Sequence, residues 1–509
     1  MSEISEALIV TPFKPQSAKL QAKRKTTPSS ELSSPAKSII LSASDAFQSE
    51  PVIHLASSAI FAASTRLFPS GNAVIDARSP LQLSHAHPDP EPEPKLQKGV
   101  ADLLPSRHII FPFNLRQNRK ALDNKAWEHL WNLFPDTKAV SFDGYFLVFT
   151  LGSLPEKPWP ITIAGVQPYF TTDLNDDGPI PPIKRASKIV RRISAEVNLT
   201  NVPPAKIDAA FELVINYFSS SNISITEVQY WNVFFVIVLE SEDINMAEVP
   251  SAIGRCACYY LYEKEMGRPH PAEIPAQPLR DPTGDVVDNS EYEILRPGVM
   301  LGSEKHPISR MELRTTSGVL VEDGIGGRYM TVASHGFPHG DRVFQPSAEG
   351  RDIGKVIMEV SHTDVALVKL NENVRFVNET FETTSLGVPP ARLAGFIPAN
   401  ESQIGSPVYM NNPFTGCSEG TCGPHSRLRI PSDDPHEVPL EWIRARWVYM
   451  GQGFIDRPED GACGSAIWND DGQVLGFFRY ASRSEQFRDW SFVVASDNLT
   501  EKGFKITAR

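Results

Sequence analysis

Cys463 stands in a short turn of small residues, Asp460-Gly461-Ala462-Cys463-Gly464-Ser465-Ala466, between two strand-like runs, Trp442–Gly453 and Gln473–Tyr480. Glycine lets a backbone reverse sharply, so that consecutive N–H groups can converge on one point. A nucleophile in the middle of such a turn lies beside a ready-made oxyanion hole. A thiol of ordinary acidity is only a few per cent ionised at neutral pH, so Cys463 needs a base before it can attack. The bland alternative is a buried small hydrophobe in a tight turn. Ser465 is the rival nucleophile of the same turn.

The segment Gly461–Ala466 resembles the Gly-x-nucleophile-Gly-small turn of chymotrypsin-like (PA clan) proteases, and with cysteine as nucleophile it is most like their viral cysteine branch. Tyr329-Met330-Thr331-Val332-Ala333-Ser334-His335-Gly336 resembles the family's apolar strand running into the catalytic histidine. His362-Thr363-Asp364-Val365-Ala366-Leu367-Val368-Lys369-Leu370 resembles its strand that opens with the catalytic aspartate. Asp364 follows His335 by 29 residues and Cys463 follows Asp364 by 99, the family's order and a span that suits two small barrels. The resemblance implies that His335 takes the Cys463 proton and that Asp364 orients and charges the imidazole. The thiolate then attacks a peptide carbonyl, and the N–H groups of Gly461 and Cys463 hold the oxyanion. His335 protonates the leaving amine, and water clears the thioester. The resemblance also gives Tyr480 and Ala481, on the strand after the nucleophile, as the edge that pairs with an extended substrate.

Two departures from the family carry consequences. Ala462 replaces the acid of zymogen-activated members, so activation by a newly cut N-terminus is not expected. Arg479 replaces a small residue that normally lies near the aspartate, and its guanidinium is expected to pair with Asp364 and draw it from His335. Arg457, in the loop before the nucleophile, could favour an acidic side chain before the cut.

These residues need a β domain to hold them. From about Leu295 the chain becomes short strands separated by Gly, Pro and Asn turns, the texture of a sandwich or barrel. Strands are expected over Thr315–Glu322, Tyr329–Ala333, Ile353–Val360, Val365–Leu370 and Trp490–Ala495, with Pro389–Phe396 between two barrels and Gly405–Cys417 opening the second. The resemblance covers about 295–509 and leaves out the first half.

Residues 101–270 read as an α+β accessory domain. Lys120–Phe134 and Pro204–Phe218 have helical spacing, and strands follow each. Ala126-Trp127-Glu128-x-x-x-Asn132-Leu133-Phe134 echoes Ala210-Phe211-Glu212-x-x-x-Asn216-Tyr217-Phe218, which fits either a duplicated helix-strand unit or chance similarity of amphipathic helices. Lys184, Arg185, Lys188, Arg191 and Arg192 form a basic cluster, read as a charged strand edge ahead of a nucleic-acid contact. Cys256-x-Cys258 lacks a second pair and reads as packed thiols. Cys417-x-x-x-x-Cys422-x-x-His425 lacks a fourth ligand and reads as a hairpin with bystander thiols. Residues 1–100 are rich in Ser, Pro and Lys, too polar to bury a core, and are expected to be a disordered tail. Residues 271–294 are the expected linker.

With 509 residues there is room for two or three domains. The formal charge of −12 argues against a nucleic-acid binder, and five cysteines are too few for a disulfide framework. Met1–Lys25 lacks the apolar core of a signal peptide, and no run has the length of a membrane span. The expected fold is therefore multidomain: tail, α+β accessory domain, linker, and C-terminal trypsin-like all-β double barrel at 295–509. The expected function is an intracellular endopeptidase acting on a peptide or protein substrate, cytoplasmic or nuclear and not secreted. No metal, other cofactor or membrane is expected, and the accessory domain is a candidate surface for a protein partner. The alternative is a trypsin-like pseudoprotease that binds a peptide or partner without cutting it.

Overall fold

The computed structural model describes residues 107–119, 121–156, 159–181, 184–185, 192–193, 197–269, 287–308, 310–382, 390–430, 441–451, 458, 460–487 and 489–507. The expected tail and most of the expected linker lie outside these residues, as do Lys188, Arg191 and Arg457. No helix among the described residues is long and apolar enough to cross a membrane.

The first half is built twice on one plan. The first copy runs β1 (His108–Ile109), α1 (Asn124–Trp131), β2 (Thr137–Phe142), β3 (Phe146–Leu151), β4 (Thr162–Ile163) and β5 (Gln167–Thr171). The second runs β6 (Arg192–Ile193), α2 (Ile207–Ser220), β7 (Ile225–Tyr230), β8 (Phe234–Leu239), β9 (Ala252–Ile253) and β10 (Cys256–Tyr262). The pairing is the same in both. β2 and β7 run antiparallel to β3 and β8, which run parallel to β5 and β10. β1 and β6 run parallel to β4 and β9. The echoed residues do the same work, because Ala126 and Leu130 bury against the first sheet as Ala210 and Val214 do against the second. The echo is thus a whole repeated unit. Cys256 and Cys258 are buried in the second core. Helix α1 starts at Asn124, later than the expected Lys120, because Asp123 accepts the Ala126 N–H at 2.8 Å as an N-cap.

The second half holds two larger sheets. One has eight strands. In chain order these are β11 (Met300–Gly302), β12 (Arg314–Thr316), β13 (Leu320–Glu322), β14 (Arg328–Ala333), β15 (Arg342–Gln345), β16 (Arg351–Glu359) and β17 (Val365–Leu370), with a C-terminal strand, Lys505–Ile506, beside β13. Leu301, Met330, Val332, Val343, Ile353, Ala366 and Val368 share its core. The other sheet contains β18 (Pro407–Asn412), β19 (Gly416–Ile430), β20 (Glu441–Tyr449), β21 (Ala466–Trp468), β22 (Gln473–Ala481) and β23 (Trp490–Ala495). They pair in the order β18-β21-β22-β23-β20-β19, and β19 pairs back with β18, closing a six-stranded ring around Val408, Met410, Val448, Ile467, Leu475 and Val493.

Two features differ from expectation. The single strand expected over Thr315–Glu322 is split at Ser317–Val319. Before the break the Thr316 N–H donates to Cys463 O (3.1 Å); within it the Gly318 N–H donates to Thr331 O (2.8 Å), so the backbone changes partners. In addition, the sheet does not stop between the halves. β7 pairs antiparallel with β19, with Tyr230 opposite His425 and Glu227 opposite Leu428. The second repeat and the second ring therefore share one sheet.

Candidate active site

His335 lies just past β14, in a 3-10 turn over Ser334–Gly336. Asp364 lies just ahead of β17. Because β14 and β17 pair antiparallel with Ala333 opposite Val365, the two residues are held side by side. The contact is three-fold: Ser334 N–H donates to Asp364 O (2.8 Å), His335 N–H to Asp364 Oδ1 (2.9 Å), and His335 Nδ1 lies 2.7 Å from Asp364 Oδ2. The Nδ1–H···Oδ2 bond leaves Nε2 as the base.

The turn that delivers Asp364 is strained. Ser361, His362 and Asp364 all have positive φ, 45°, 53° and 69°, in the left-handed region that costs a side-chain-bearing residue energy. Glu359 compensates for this. Its Oε1 accepts the Asp364 N–H and its Oε2 accepts the Ser334 hydroxyl, both at 2.8 Å, so one carboxylate ties the aspartate turn to the histidine turn. Sequence reasoning passed over Glu359. The available signal was a polar side chain at the end of an apolar strand, five residues before the aspartate.

Cys463 sits at the mouth of the second ring. Ahead of it Asp460–Ala462 forms a 3-10 turn. Strand β12 grips this turn: Thr316 Oγ1 donates to Gly461 O at 2.8 Å and the Thr316 N–H to Cys463 O. Two glycines are required here. Gly464 has φ +91°, and a Cβ there would lie 2.6 Å from Thr316 O. A Cβ on Gly461 would lie 2.2 Å from Phe414 Cζ. In a 3-10 turn each carbonyl faces the N–H three residues on. The Asp460 carbonyl is thus directed at the Cys463 N–H, one of the two expected oxyanion donors, and Gly461 lies inside the same turn.

Cys463 Sγ donates to Arg479 O at 2.9 Å, and His335 faces the same sulfur. Burial alone would lower the His335 pKa. The charge of Asp364 and the Cys463 sulfur, with their hydrogen bonds, outweigh burial and raise it well above the usual histidine value. Burial would likewise raise the Asp364 pKa, but His335 and then Arg479 hold the carboxyl below its usual range. Arg479 Nε is 3.4 Å from the Asp364 Oδ2 that also meets His335. The guanidinium therefore shares the aspartate with the histidine, where sequence reasoning expected it to pull the aspartate away. Ser465 is fully buried and its hydroxyl donates to Ala462 O at 2.7 Å, a bond that supports the turn.

Tyr480 and Ala481 end β22 but face opposite ways. Ala481 shares the ring core with Cys463. The Tyr480 ring stacks on Phe492 with centroids 5.1 Å apart, on the outer face. Just beyond them the Ser482 hydroxyl donates to Met266 O and the Arg483 N–H to Gly267 O, both at 2.8 Å, so a segment from the first half lies along this end of the strand. On β19, the Cys422 thiol contacts Ser402 Oγ at 3.4 Å and His425 meets Arg446, while Cys417 lies at the hairpin end.

The site thus brings a thiol, an imidazole and a carboxylate into one file, with a guanidinium on the carboxylate. Such a set can transfer a proton from sulfur to nitrogen and present a thiolate to an electrophilic carbon.

No family model matches the chain, and no curated protein matches it. Several solved structures are similar to part of the chain. A glutamic acid specific serine protease is 12% identical over 42% of this chain and 100% of its own, with a TM-score of 0.32. A Nocardiopsis protease is 15% identical over 42% of this chain and 98% of its own, TM-score 0.31. A Cellulomonas bogoriensis chymotrypsin is 16% identical over 42% of this chain and 100% of its own, TM-score 0.30. At these scores the reading of the site rests on the chain's own geometry.

Proposed function

We propose that the chain is a cysteine peptidase acting on peptide or protein substrates through Cys463, His335 and Asp364. The observation that carries this reading is the file of three groups, in which Asp364 Oδ2 lies 2.7 Å from His335 Nδ1 and His335 faces the Cys463 sulfur. His335 takes the thiol proton, Asp364 balances the imidazolium, and the thiolate attacks the scissile carbonyl. Gly461 and Cys463 supply the oxyanion donors once the 3-10 turn opens, and the strand that carries Tyr480 and Ala481 runs beside the sulfur, where an extended substrate would lie.

The test is the alkylation rate of Cys463 against pH, read by peptide mass spectrometry in the wild type and in His335→Ala. Cys256, Cys258, Cys417 and Cys422 serve as internal references. The expected result is a rate that is high below pH 7 and collapses in the variant. A rate like that of the other thiols, indifferent to His335, overturns the reading.

A second reading is a binding module that does not cut. Two observations favour it: the thiol proton is engaged by Arg479 O, and the 3-10 turn over Asp460–Ala462 directs the Asp460 carbonyl at the Cys463 N–H. Under that reading Cys463→Ala leaves peptide binding unchanged and there is no cleavage to lose. Under the first, the variant loses cleavage while it stays folded.

A further inference from the structure

A crevice of about 220 Å3 lies where the β2–β3 turn of the first repeat and the β7–β8 turn of the second meet the loop leading into β18. Its basic side chains are Arg116, Arg119 and His425, and no described Asp or Glu lines it. Burial and the neighbouring Arg446 and Arg427 hold His425 neutral, so the charge of the lining comes from the two guanidiniums, which run against the formal charge of −12 of the whole chain. Arg116 gives one N–H to Ser406 Oγ at 2.9 Å, and the Arg119 guanidinium lies 4.7 Å over the Tyr145 ring. Each guanidinium has five N–H donors in a fixed fork.

A second observation lies behind the wall. Arg446 is fully buried. Its Nη1 donates to Ala399 O (2.8 Å) and Ser402 O (3.0 Å) and lies 2.6 Å from His425 Nδ1. Its Nε and Nη2 have no nitrogen or oxygen partner among the described residues, although the Cys422 thiol lies beside the group. No described carboxylate is within ion-pair distance, and a buried cation without a counter-ion is costly. His425 and Ser402 both contact Arg446 and line the crevice, so an anion seated there would lie next to a buried charge that the Cys422 sulfur and, beyond ion-pair distance, Asp497 offset only in part. Two acids lie near the lining arginines, Asp143 by Arg119 and Asp470 by Arg116. Burial pushes the Asp143 carboxyl, near Arg119, up to about 7. Asp470 lies in the adjoining crevice, where it accepts the Tyr409 hydroxyl at 2.7 Å.

We propose that this crevice binds a small oxyanion carrying a phosphoryl group. Guanidinium forks match phosphate oxygens two at a time. The volume is below the roughly 300 Å3 at which pockets for drug-sized ligands begin, which favours a small polar group with its hydration over a large organic ligand. The adjoining crevice, of about 740 Å3, shares Arg116 and Gln403 with it and leaves room for the organic part of a phosphate ester beside Phe111 and Phe113.

Isothermal titration of the full chain at constant ionic strength tests this, with sodium phosphate, AMP and citrate as separate ligands. Saturable binding of phosphate or AMP is expected, weakened about 10-fold or more by Arg119→Gln, since a hydrogen bond to a charged group contributes at least that factor. The Cys463 alkylation rate stays unchanged in that variant. Tighter binding of AMP assigns an ester; equal binding assigns the free ion. The proposal is overturned by heats that sodium chloride reproduces, by citrate binding without phosphate binding, or by unchanged affinity in both Arg119→Gln and Arg116→Gln. Thermal melting without ligand separates a misfolded variant from a lost site.

Discussion

Replacing Arg479 by serine leaves Asp364 to His335 alone. Unit charges 3.4 Å apart attract by about 5 kcal/mol at an effective dielectric constant of about 20. The Arg479 side chain is 27% exposed, so solvent screening, desolvation and the entropy of holding a long side chain remove most of that. A net coupling of roughly 1–2 kcal/mol remains, which corresponds to about one pKa unit. The sign follows from the shared oxygen. With Arg479 gone, Asp364 Oδ2 gives its whole charge to the Nδ1–H of His335, and one positive neighbour of the imidazolium disappears. The His335 pKa, already above the ordinary value, rises further, while that of Asp364 moves back toward its ordinary range.

In the proposed mechanism, a thiolate–imidazolium pair is lost on the alkaline side when His335 gives up its proton. The alkaline limb of the Cys463 alkylation profile therefore moves up by about one pH unit in Arg479→Ser. The assay is the rate of iodoacetamide incorporation at Cys463 from pH 5 to 10, by peptide mass spectrometry. An alkaline limb that stays in place, or moves down, refutes the argument: the guanidinium would then not be coupled to the imidazole through Asp364.

Three further outcomes follow from the same geometry. Glu359→Gln replaces the charged acceptor of the Asp364 N–H and the Ser334 hydroxyl by a neutral amide and turns the Ser334 hydroxyl round, so reactivity at Cys463 falls about 10-fold, while Glu359→Asp recovers part of it. Gly461→Ala drives a methyl into the Phe414 ring and destabilises the fold by about 1–3 kcal/mol; the same substitution should cost less in a Phe414→Ala background than in the wild type, by urea midpoints, and an equal cost in both counts against the contact. Because His335 has a raised folded pKa, the stability it contributes is complete below the ordinary histidine value near 6.5 and is lost as pH rises through the folded value. Urea midpoints of the wild type should therefore fall on the alkaline side, and those of His335→Gln should fall less.

Much of the site was legible because its residues sit in strong local patterns. His335 ends an apolar strand, Asp364 begins one, and Cys463 is framed by glycines that the backbone requires at 461 and 464. What the pattern missed depends on distance in sequence. Glu359 acts through a bent turn whose left-handed residues, Ser361, His362 and Asp364, carry no glycine to announce it. The sharing of Asp364 Oδ2 by His335 and Arg479 depends on where a long side chain ends, which spacing along a strand does not specify. The 3-10 form of Asp460–Ala462 is a choice between two backbone states of one sequence. In the first half the helix echo was readable, but the repeated pairing was not, because β1, β4, β6 and β9 are two residues long and leave no periodicity.

The pairing of β7 with β19 changes how the first half relates to the chemistry. Glu227 on β7 is fully buried, and its Oε1 accepts the Ser426 hydroxyl and the Trp447 indole N–H at 2.6 Å each, while Arg268 pairs with its other oxygen. Trp447 packs on Phe492, and Phe492 stacks on Tyr480 of the strand that carries Arg479. Met266 and Gly267 then bind the residues just beyond Ala481. The outer face of the second ring is thus a core that the repeats cover. A ring cut free at the linker would expose Trp447, Phe492, Tyr480 and Trp490 together and leave four strand-edge positions on β19 unpaired. The first half is in this sense a structural part of the site: it holds the back of β22, whose front carries Arg479 and the strand edge beside Cys463.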